Sequence, residues 1–151
     1  MTGDGLDEAS LIYVVGRVNQ GILREMRARL TRLKLSVQEY TALSVLQSRP
    51  GLSNAQLARR SLVAPQSMIE TLAKLEHRGL IERAVDDGHS RILRARLTRD
   101  GRRLLAAADP AILAIQEQML AGVPERQRLI VLEGMLSAMR TLSGGLGETE
   151  R

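Results

Sequence analysis

The sequence has no cysteine, no phenylalanine and no tryptophan, and it has only two tyrosines and two histidines. The absence of cysteine excludes disulfides, thiolate metal sites and a thiol-based redox switch. The scarcity of aromatic rings argues against stacking on unpaired bases, which is the usual device of single-strand and RNA binders. The hydrophobic core must therefore be built from Leu, Ile, Val, Ala and Met side chains.

Long apolar runs and common catalytic motifs are absent as well. No segment approaches about 18 consecutive apolar residues, so we expect no membrane-spanning helix. The first ten residues are acidic and lack the apolar centre of a secretion signal. HExxH, P-loop and G-x-S-x-G motifs do not occur. We therefore expect a cytoplasmic protein that is not an enzyme, with no catalytic residues, no metal, no cofactor and no membrane partner.

Positive charge is concentrated in the middle third of the chain. Residues 54–103 contain 11 Lys or Arg and 6 Asp or Glu, an excess of 5 that equals the net charge of the whole chain. A localised basic segment of this kind is typical of proteins that bind a polyanion. The alternative is a charged face that is merely solvated.

Helical spacing of apolar residues predicts six helices. The predicted helices cover about 6–33, 37–47, 54–61, 65–78, 99–121 and 125–142. Ser36 and Glu39 have the spacing of a capping box for the second helix, and either Ser53 or Asn54 caps the third. Gly79 ends the fourth. The third and fourth helices, joined by a short connection, form a helix-turn-helix.

Two strands are predicted directly after the fourth helix, at 80–84 and 91–97. Residues 86–88, Asp-Asp-Gly, supply the turn between them. In the second strand Leu93, Ala95 and Leu97 alternate with side chains that include Arg94 and Arg96, which we expect on the outward face. A hairpin in this place is a wing, so the fold class is mainly α with a small β-hairpin.

The fourth helix has two faces on a helical wheel. Its predicted apolar face consists of Met68, Ile69, Leu72 and Leu75. Its predicted DNA-binding face consists of Gln66, Ser67, Glu70, Thr71 and Lys74. Such amide, hydroxyl and ammonium groups hydrogen-bond base edges and phosphates in a major groove. Because any surface helix has a polar face, this interpretation depends on the helix-turn-helix order and on the local charge excess.

The segments SNAQLARR, PQSMIETLAKLEHRGLIER and LTRDGRRLL resemble those of MarR-family (multiple antibiotic resistance regulator) transcriptional regulators. The resemblance implies a homodimer in which N- and C-terminal helices of two subunits intertwine and each subunit offers one winged helix-turn-helix lobe. Two recognition helices then lie about one DNA turn apart on a pseudo-palindrome. The apolar stripes at 11–26 and 129–139 agree with this, since they need a partner surface beyond one small lobe.

The wing departs from the family pattern at one position. The family usually has Asp-x-Arg, in which the Asp braces an Arg that enters the minor groove, whereas this chain has His89-Ser90-Arg91. Either Asp86 or Asp87 supplies the bracing carboxylate instead, or Arg91 is freer. The candidate DNA contacts of the wing are His89, Ser90, Arg91 and Arg94. Further candidates, for phosphate contacts, are Ser36, Ser53 and Asn54.

These observations divide the chain by function. We expect a winged helix-turn-helix DNA-binding lobe at 36–97, a helical dimerisation region at 6–35 and 98–142, and a disordered tail at 143–151. The expected function is sequence-specific binding of double-stranded DNA by a homodimeric repressor, with release by a small-molecule effector that the resemblance suggests. The alternative is a helical protein-interaction module or antirepressor without DNA binding.

No effector pocket can be located from the sequence. Arg17, Arg24 and Tyr40 are candidates to line one, and each is equally well explained as a surface or packing residue. The identity of the effector, the operator sequence and the target genes are beyond what these residues predict.

Overall fold

The computed structural model describes residues 10–142 of the chain, and within that range six α-helices and three β-strands follow one another. The helices are α1 (Leu11–Leu30), α2 (Val37–Ser48), α3 (Asn54–Arg60), α4 (Pro65–His77), α5 (Arg99–Met119) and α6 (Glu125–Leu142). The strands are β1 (Leu52–Ser53), β2 (Ile81–Asp86) and β3 (His89–Leu97), and a 3-10 turn (Thr31–Leu33) follows α1. The predicted fold class, mainly α with a small β-hairpin, is confirmed.

The described residues fall into two compact units, with the boundary inside α5 between Ile115 and Gln116. The first unit contains α1 to α4, the sheet and most of α5, and the second contains the end of α5 and all of α6. The functional division at residues 36–97 stays a prediction. The helix start expected at residue 6 and the tail expected at 143–151 lie outside the described residues.

Capping boxes begin two of the helices. The Ser36 hydroxyl accepts from the Glu39 N–H at 3.0 Å, and a Glu39 carboxylate oxygen accepts from the Ser36 N–H at 2.7 Å, which confirms the predicted cap of α2. The same reciprocal pair joins Ser53 and Gln56 at the start of α3. Of the two expected caps of α3, Ser53 is therefore the one that acts, and each box satisfies two backbone donors that the helix leaves unpaired.

The core of the first unit is aliphatic, as the scarcity of aromatic residues requires. Its fully buried large side chains come from the first four helices: Leu30, Leu43, Leu46, Leu57, Met68, Leu72 and Leu75. Burying one such side chain stabilises the fold by about 1.5–3 kcal/mol. The sheet and α5 close this core with Ala95, Leu97 and Leu105. Helices α2, α3 and α4 thereby share one buried core.

The sheet has three antiparallel strands in the order β1-β3-β2. Leu52 of β1 lies opposite Ala95 of β3, which in turn lies opposite Arg83 of β2. The sequence did not predict β1, because two residues carry no readable alternation. The predicted alternation in β3 holds at Ala95 and Leu97, which are buried, but Leu93 is exposed because it lies beyond the edge of the core.

The hairpin is longer and its turn shorter than predicted. Asp86 is the last residue of β2 rather than part of the turn, so Asp87 and Gly88 alone connect the strands. Val85 pairs with Leu93 while Asp86 pairs with His89, so β3 has three more residues than β2 at this point. The resulting bulge, residues 90–92, lies at the wing tip and includes one of the predicted DNA-binding arginines.

The start of α5 passes close to the start of β2. A side chain at Gly101 would place its Cβ 2.0 Å from the carbonyl oxygen of Leu80, so only glycine fits there. The Thr98 hydroxyl accepts from the Gly101 N–H at 3.1 Å and so caps the start of α5. Pro110 lies inside α5 and does not end it.

Apolar side chains remain exposed on α1 of the first unit and on α6 of the second. The exposed set on α1 is Leu11, Ile12, Tyr13, Val14, Val15 and Val18. The exposed set on α6 is Leu129, Ile130, Val131, Leu132, Met135, Leu136, Met139 and Leu142. No residue of α6 is buried. Contiguous apolar patches of this kind mark surfaces that bind another protein.

Candidate nucleic-acid interface

The recognition helix α4 starts without a side-chain cap. Its N-cap is Ala64 and its first residue is Pro65, which has no N–H to satisfy. The N–H groups of Gln66 and Ser67 consequently have no partner within residues 10–142. Unpaired N–H groups together with the helix dipole favour an anion at this end of α4.

Four of the five predicted contacts on α4 share one exposed face. Gln66, Ser67, Glu70 and Lys74 are all exposed. On the opposite side Met68, Leu72 and Leu75 are buried, as predicted. The structure therefore brings amide, hydroxyl, carboxylate and ammonium groups together along one edge of the helix.

The helical wheel predicted the wrong exposure for two side chains of α4. Thr71, expected on the exposed face, is only 6% exposed, and its hydroxyl donates to the Ser67 carbonyl oxygen at 2.9 Å. The Gln38 side chain of α2 donates to the Thr71 hydroxyl at 2.8 Å. Ile69, expected inside, is 46% exposed. A helical wheel considers the helix alone, whereas in the structure α2 packs against α4 at Thr71 and so changes which side chains of α4 are buried. No local pattern in the sequence predicts the contact made by Gln38.

The side chains that were predicted to contact phosphate make hydrogen bonds within the protein. The Ser36 and Ser53 hydroxyls act in the two capping boxes. The Asn54 amide donates from Nδ2 to the Pro65 carbonyl oxygen at 3.1 Å and so connects α3 to the first residue of α4. Its Oδ1 is buried and has no hydrogen-bond partner in the described part of the chain. Contact of these residues with phosphate stays a prediction.

The wing tip presents three of the four predicted residues to solvent. His89, Ser90 and Arg91 are exposed. The Arg91 side chain makes no hydrogen bond or ion pair with any described residue, so neither Asp86 nor Asp87 braces it. The second of the two expectations, a freer Arg91, describes the structure.

The fourth predicted wing residue is held within the protein. Arg94, expected on an outward face, is half-buried, and its Nε donates to Asp86 Oδ1 at 2.6 Å. Its Nη1 donates to the Gly51 carbonyl oxygen at 3.0 Å and to Gln56 Oε1 at 3.4 Å. The hydrogen bond from Arg94 lowers the pKa of Asp86 and raises the pKa of Arg94, because each charge favours the other. Arg94 thus joins the wing to the loop before β1 and to α3.

A second ion pair connects the recognition helix to the wing. Arg83 of β2 donates from Nε and Nη2 to Glu76 Oε2 of α4, the Nε distance being 3.0 Å. The hydrogen bond from Arg83 lowers the pKa of Glu76. Arg78 likewise donates to Glu39 Oε1 of α2 at 3.3 Å. These positioning residues could not be predicted from the sequence, since ion pairs between separate elements leave no local signal.

An open cleft of about 660 Å³ borders the predicted DNA-binding face, and we call it the recognition cleft. Its lining includes Arg27, Gln38, Ser67, Glu70 and Lys74. It joins the end of α1 and the start of α2 to the exposed face of α4. The recognition helix therefore lies at the edge of a concave surface.

The three candidates for an effector pocket do not line that cleft. Tyr40 instead donates its hydroxyl hydrogen to Asp109 Oδ1 at 2.9 Å and links α2 to α5. Burial and the hydrogen bond to the Asp109 carboxylate raise the pKa of Tyr40 to about 12. Arg17 and Arg24 are exposed on α1, and Arg24 lies 3.9 Å from a Glu25 carboxylate oxygen.

Two other kinds of feature are absent from the described residues. No helix among them is both long enough and apolar enough to cross a bilayer. Residues 10–142 also contain no group of three or more His, Cys, Asp or Glu side chains placed to hold a metal ion.

Comparison with known proteins gives consistent matches. Residues 33–92 match a family model described as MarR family. The HTH-type transcriptional repressor Rv2887 of Mycobacterium tuberculosis is 37% identical over 122 residues, which cover 81% of this chain and 88% of that protein. The crystal structure of Rv2887 with DNA superposes with a TM-score of 0.73 at 33% identity, covering 87% of this chain and 98% of that one. The structure of Rv2887 with salicylic acid has a TM-score of 0.70 at 35% identity, covering 88% and 98%.

Proposed function

Because this chain belongs to the MarR family of transcriptional regulators, we propose that it is a homodimeric repressor that binds a pseudo-palindromic operator in double-stranded DNA. The observation that carries the proposal is the pairing of an exposed polar face on α4 with an unpartnered Arg91 on the adjacent wing. A helix face and a basic tip on one rigid lobe suit the major groove and the neighbouring minor groove. The function is binding, and we assign no catalytic step.

Each element has a distinct role in this proposal. Gln66 and Ser67, at the start of α4, read base edges, while Lys74 contacts a phosphate. Arg91 enters the minor groove, where a narrow groove attracts a guanidinium. The lobe at 36–97 binds DNA, and the regions at 6–35 and 98–142 form the dimer. Since its partner is genomic DNA, we place the protein in the cytoplasm.

The dimer is supported by the unpartnered apolar faces of α1 and α6. Their exposed Leu, Ile, Val and Met side chains are too many for a monomer surface. A second copy of the chain covers them and sets the spacing of the two recognition helices. Replacing Leu132 and Met135 of α6 by Glu is expected to give monomers in sedimentation velocity and to abolish operator binding.

We further propose that an aromatic carboxylate releases the repressor, since Rv2887 has been crystallised with salicylic acid. Salicylate is the probe, and the measurement is operator affinity over a salicylate titration against benzene sulfonamide as a neutral aromatic control. A fall in affinity with salicylate alone supports the effector. Unchanged affinity at saturating salicylate contradicts it.

Selection of duplexes from a random pool tests the function itself. A DNA-binding regulator recovers a sequence with two-fold symmetry and half-sites about one helical turn apart. Recovery of no sequence at low salt supports the alternative, a helical interaction module without DNA binding.

A further inference from the structure

A second cleft, of about 570 Å³, lies at the other end of α2 from the recognition cleft. Its walls are the end of α2, the loop before β1, the sheet and the start of α5. None of its lining residues belongs to α3 or α4. It is therefore separate from the helix face that the proposed function assigns to DNA.

The charge of this cleft differs from that of the recognition cleft. Three arginines line it, Arg96, Arg99 and Arg102, against one carboxylate, Glu82. The recognition cleft has two basic and two acidic lining residues, which balance. A concave surface with excess positive charge concentrates anions. We call the second one the arginine cleft.

The guanidinium groups of the arginine cleft are largely unused. The side chains of Arg96 and Arg99 make no hydrogen bond or ion pair in the described part of the protein. Glu82 lies opposite Arg96 in the strand register, yet the two form no ion pair. Arg102 donates from Nη1 to the Leu97 carbonyl oxygen at 2.9 Å, which orients the side chain and leaves its other N–H groups available.

The surroundings of Arg96 and of the first turn of α5 shape the cleft. A Cβ on Gly51 would lie 3.3 Å from Arg96 Nη2, so the guanidinium packs directly on the Gly51 backbone. Thr98 and the first turn of α5, a helix of 21 residues, border the cleft, the helix through Arg99 and Arg102. The backbone N–H groups of Arg99 and Asp100 have no partner among residues 10–142, and the helix dipole adds positive potential at this end.

We propose that the arginine cleft binds the diphosphate group of a small organic phosphate. A planar guanidinium matches two phosphate oxygens, and three guanidinium groups together suit two adjoining phosphoryl groups better than one carboxylate. The cleft volume leaves room for an organic moiety beside the diphosphate.

The bound anion acts on the wing through Gly51, a consequence that rests on the proposed function. Arg96 packs on Gly51 from one side, and the Gly51 carbonyl oxygen accepts from Arg94, whose Nε holds Asp86. An anion that repositions Arg96 shifts this loop and thereby the orientation of the wing. The diphosphate is accordingly a second regulator of operator affinity, distinct from an aromatic carboxylate.

Isothermal titration calorimetry of the full-length protein with inorganic pyrophosphate, without DNA, tests the site. We expect one site per chain, weaker binding of orthophosphate, and no binding of sulfate at matched ionic strength. Arg96→Gln and Arg99→Gln each lower pyrophosphate affinity by about tenfold or more, since each removes charge-assisted hydrogen bonds. Arg103→Gln is the matched control, because Arg103 lies on the same helix, pairs with Asp100 and does not line the cleft.

Three results of the titrations overturn the proposal. These are no pyrophosphate binding, equal affinity in wild type and Arg96→Gln, and an equal loss in Arg103→Gln. Operator binding by the same variants separates the two sources of phosphate. If the Arg96→Gln and Arg99→Gln variants keep their DNA affinity, the ligand of the cleft is a free diphosphate. If they lose DNA affinity and the wild type does not bind pyrophosphate, the cleft binds the DNA backbone, which also overturns the proposal. Failure of the wild type to bind any duplex contradicts the proposed function and leaves the pyrophosphate result standing.

Discussion

Arg94 Nε donates to Asp86 Oδ1 at 2.6 Å, so the return strand of the wing is tied to the last residue of the outgoing strand. The same guanidinium holds the Gly51 carbonyl oxygen at 3.0 Å. In this chain the bracing carboxylate of the wing therefore serves Arg94, while Arg91 at the tip has no partner in the described residues. His89 forms no hydrogen bond or ion pair with Arg91, so the described residues contain no brace for the arginine at the tip.

Loss of this pair is expected to loosen the wing without unfolding the lobe. Asp86→Asn and Arg94→Gln each lower operator affinity by about three- to tenfold, because the wing no longer has one orientation. The double variant loses no more than the worse single variant. Fluorescence anisotropy with a labelled operator measures the affinities, and circular dichroism confirms the fold. Additive losses in the double variant would show that the two residues act separately.

Arg91→Ala is expected to weaken operator binding by about tenfold, since one groove contact contributes on the order of 1–3 kcal/mol. The thermal midpoint stays unchanged, because the exposed side chain makes no hydrogen bond or ion pair with a described residue. Arg103→Ala, which removes the same charge from an exposed position on α5, is the control and keeps full affinity. If Arg91→Ala and the wild type have equal affinity for all duplex sequences, Arg91 and the wing tip do not contact DNA.

Substitutions at the two ends of the exposed polar face of α4 are expected to change DNA binding in different ways. Lys74→Gln weakens binding to all duplexes by a similar factor and lowers the slope of log K against log salt by about 1, as for one phosphate contact. Gln66→Ala instead alters the preferred base at one operator position. Competition with single-base operator variants measures this preference. A Gln66→Ala protein with wild-type preference at every position would contradict the assignment of base reading to that residue.

Tyr40 is expected to lose its hydroxyl proton at a higher pH than an ordinary tyrosine. Its pKa is raised to about 12 by burial and by the Asp109 carboxylate, against an ordinary value of 10.0. Because the folded pKa is the higher one, this hydrogen bond stabilises the fold fully below pH 10.0 and its contribution is lost as the pH rises through about 12. Tyrosinate absorbance in a Tyr13→Phe background isolates Tyr40. Asp109→Asn moves the midpoint down toward 10.0, and a midpoint that does not move contradicts the link between α2 and α5.

The sequence predicted most of the local structure because helices, caps and hairpins are encoded by neighbouring residues. The Ser36 cap, the Gly79 helix end and the burial of Leu72 and Leu75 follow from spacing and turn chemistry alone. The two-residue strand β1 could not be predicted, because it exists only through pairing with β3.

The candidate interface was predictable in outline and less so in detail. The exposed polar face of α4 was predicted, whereas an Arg91 without a partner in the described residues was one of two alternatives that the sequence left open. Thr71 is buried because Gln38, 33 residues earlier, reaches it from α2. Arg94 faces inward because Asp86 and Gly51 hold it. Contacts between separate elements decide these cases, and one sequence carries no direct record of them.

Operator binding as a function of salt tests the central claim, that the exposed face of α4 and Arg91 bind DNA together. The wild-type protein is expected to bind its selected duplex with a log K that falls linearly with log salt, with a slope of several units from the released counterions. The Arg91→Ala, Lys74→Gln double variant is expected to bind more weakly with a slope smaller by about 2. An affinity that does not depend on salt, or a double variant with the wild-type slope, would contradict the account.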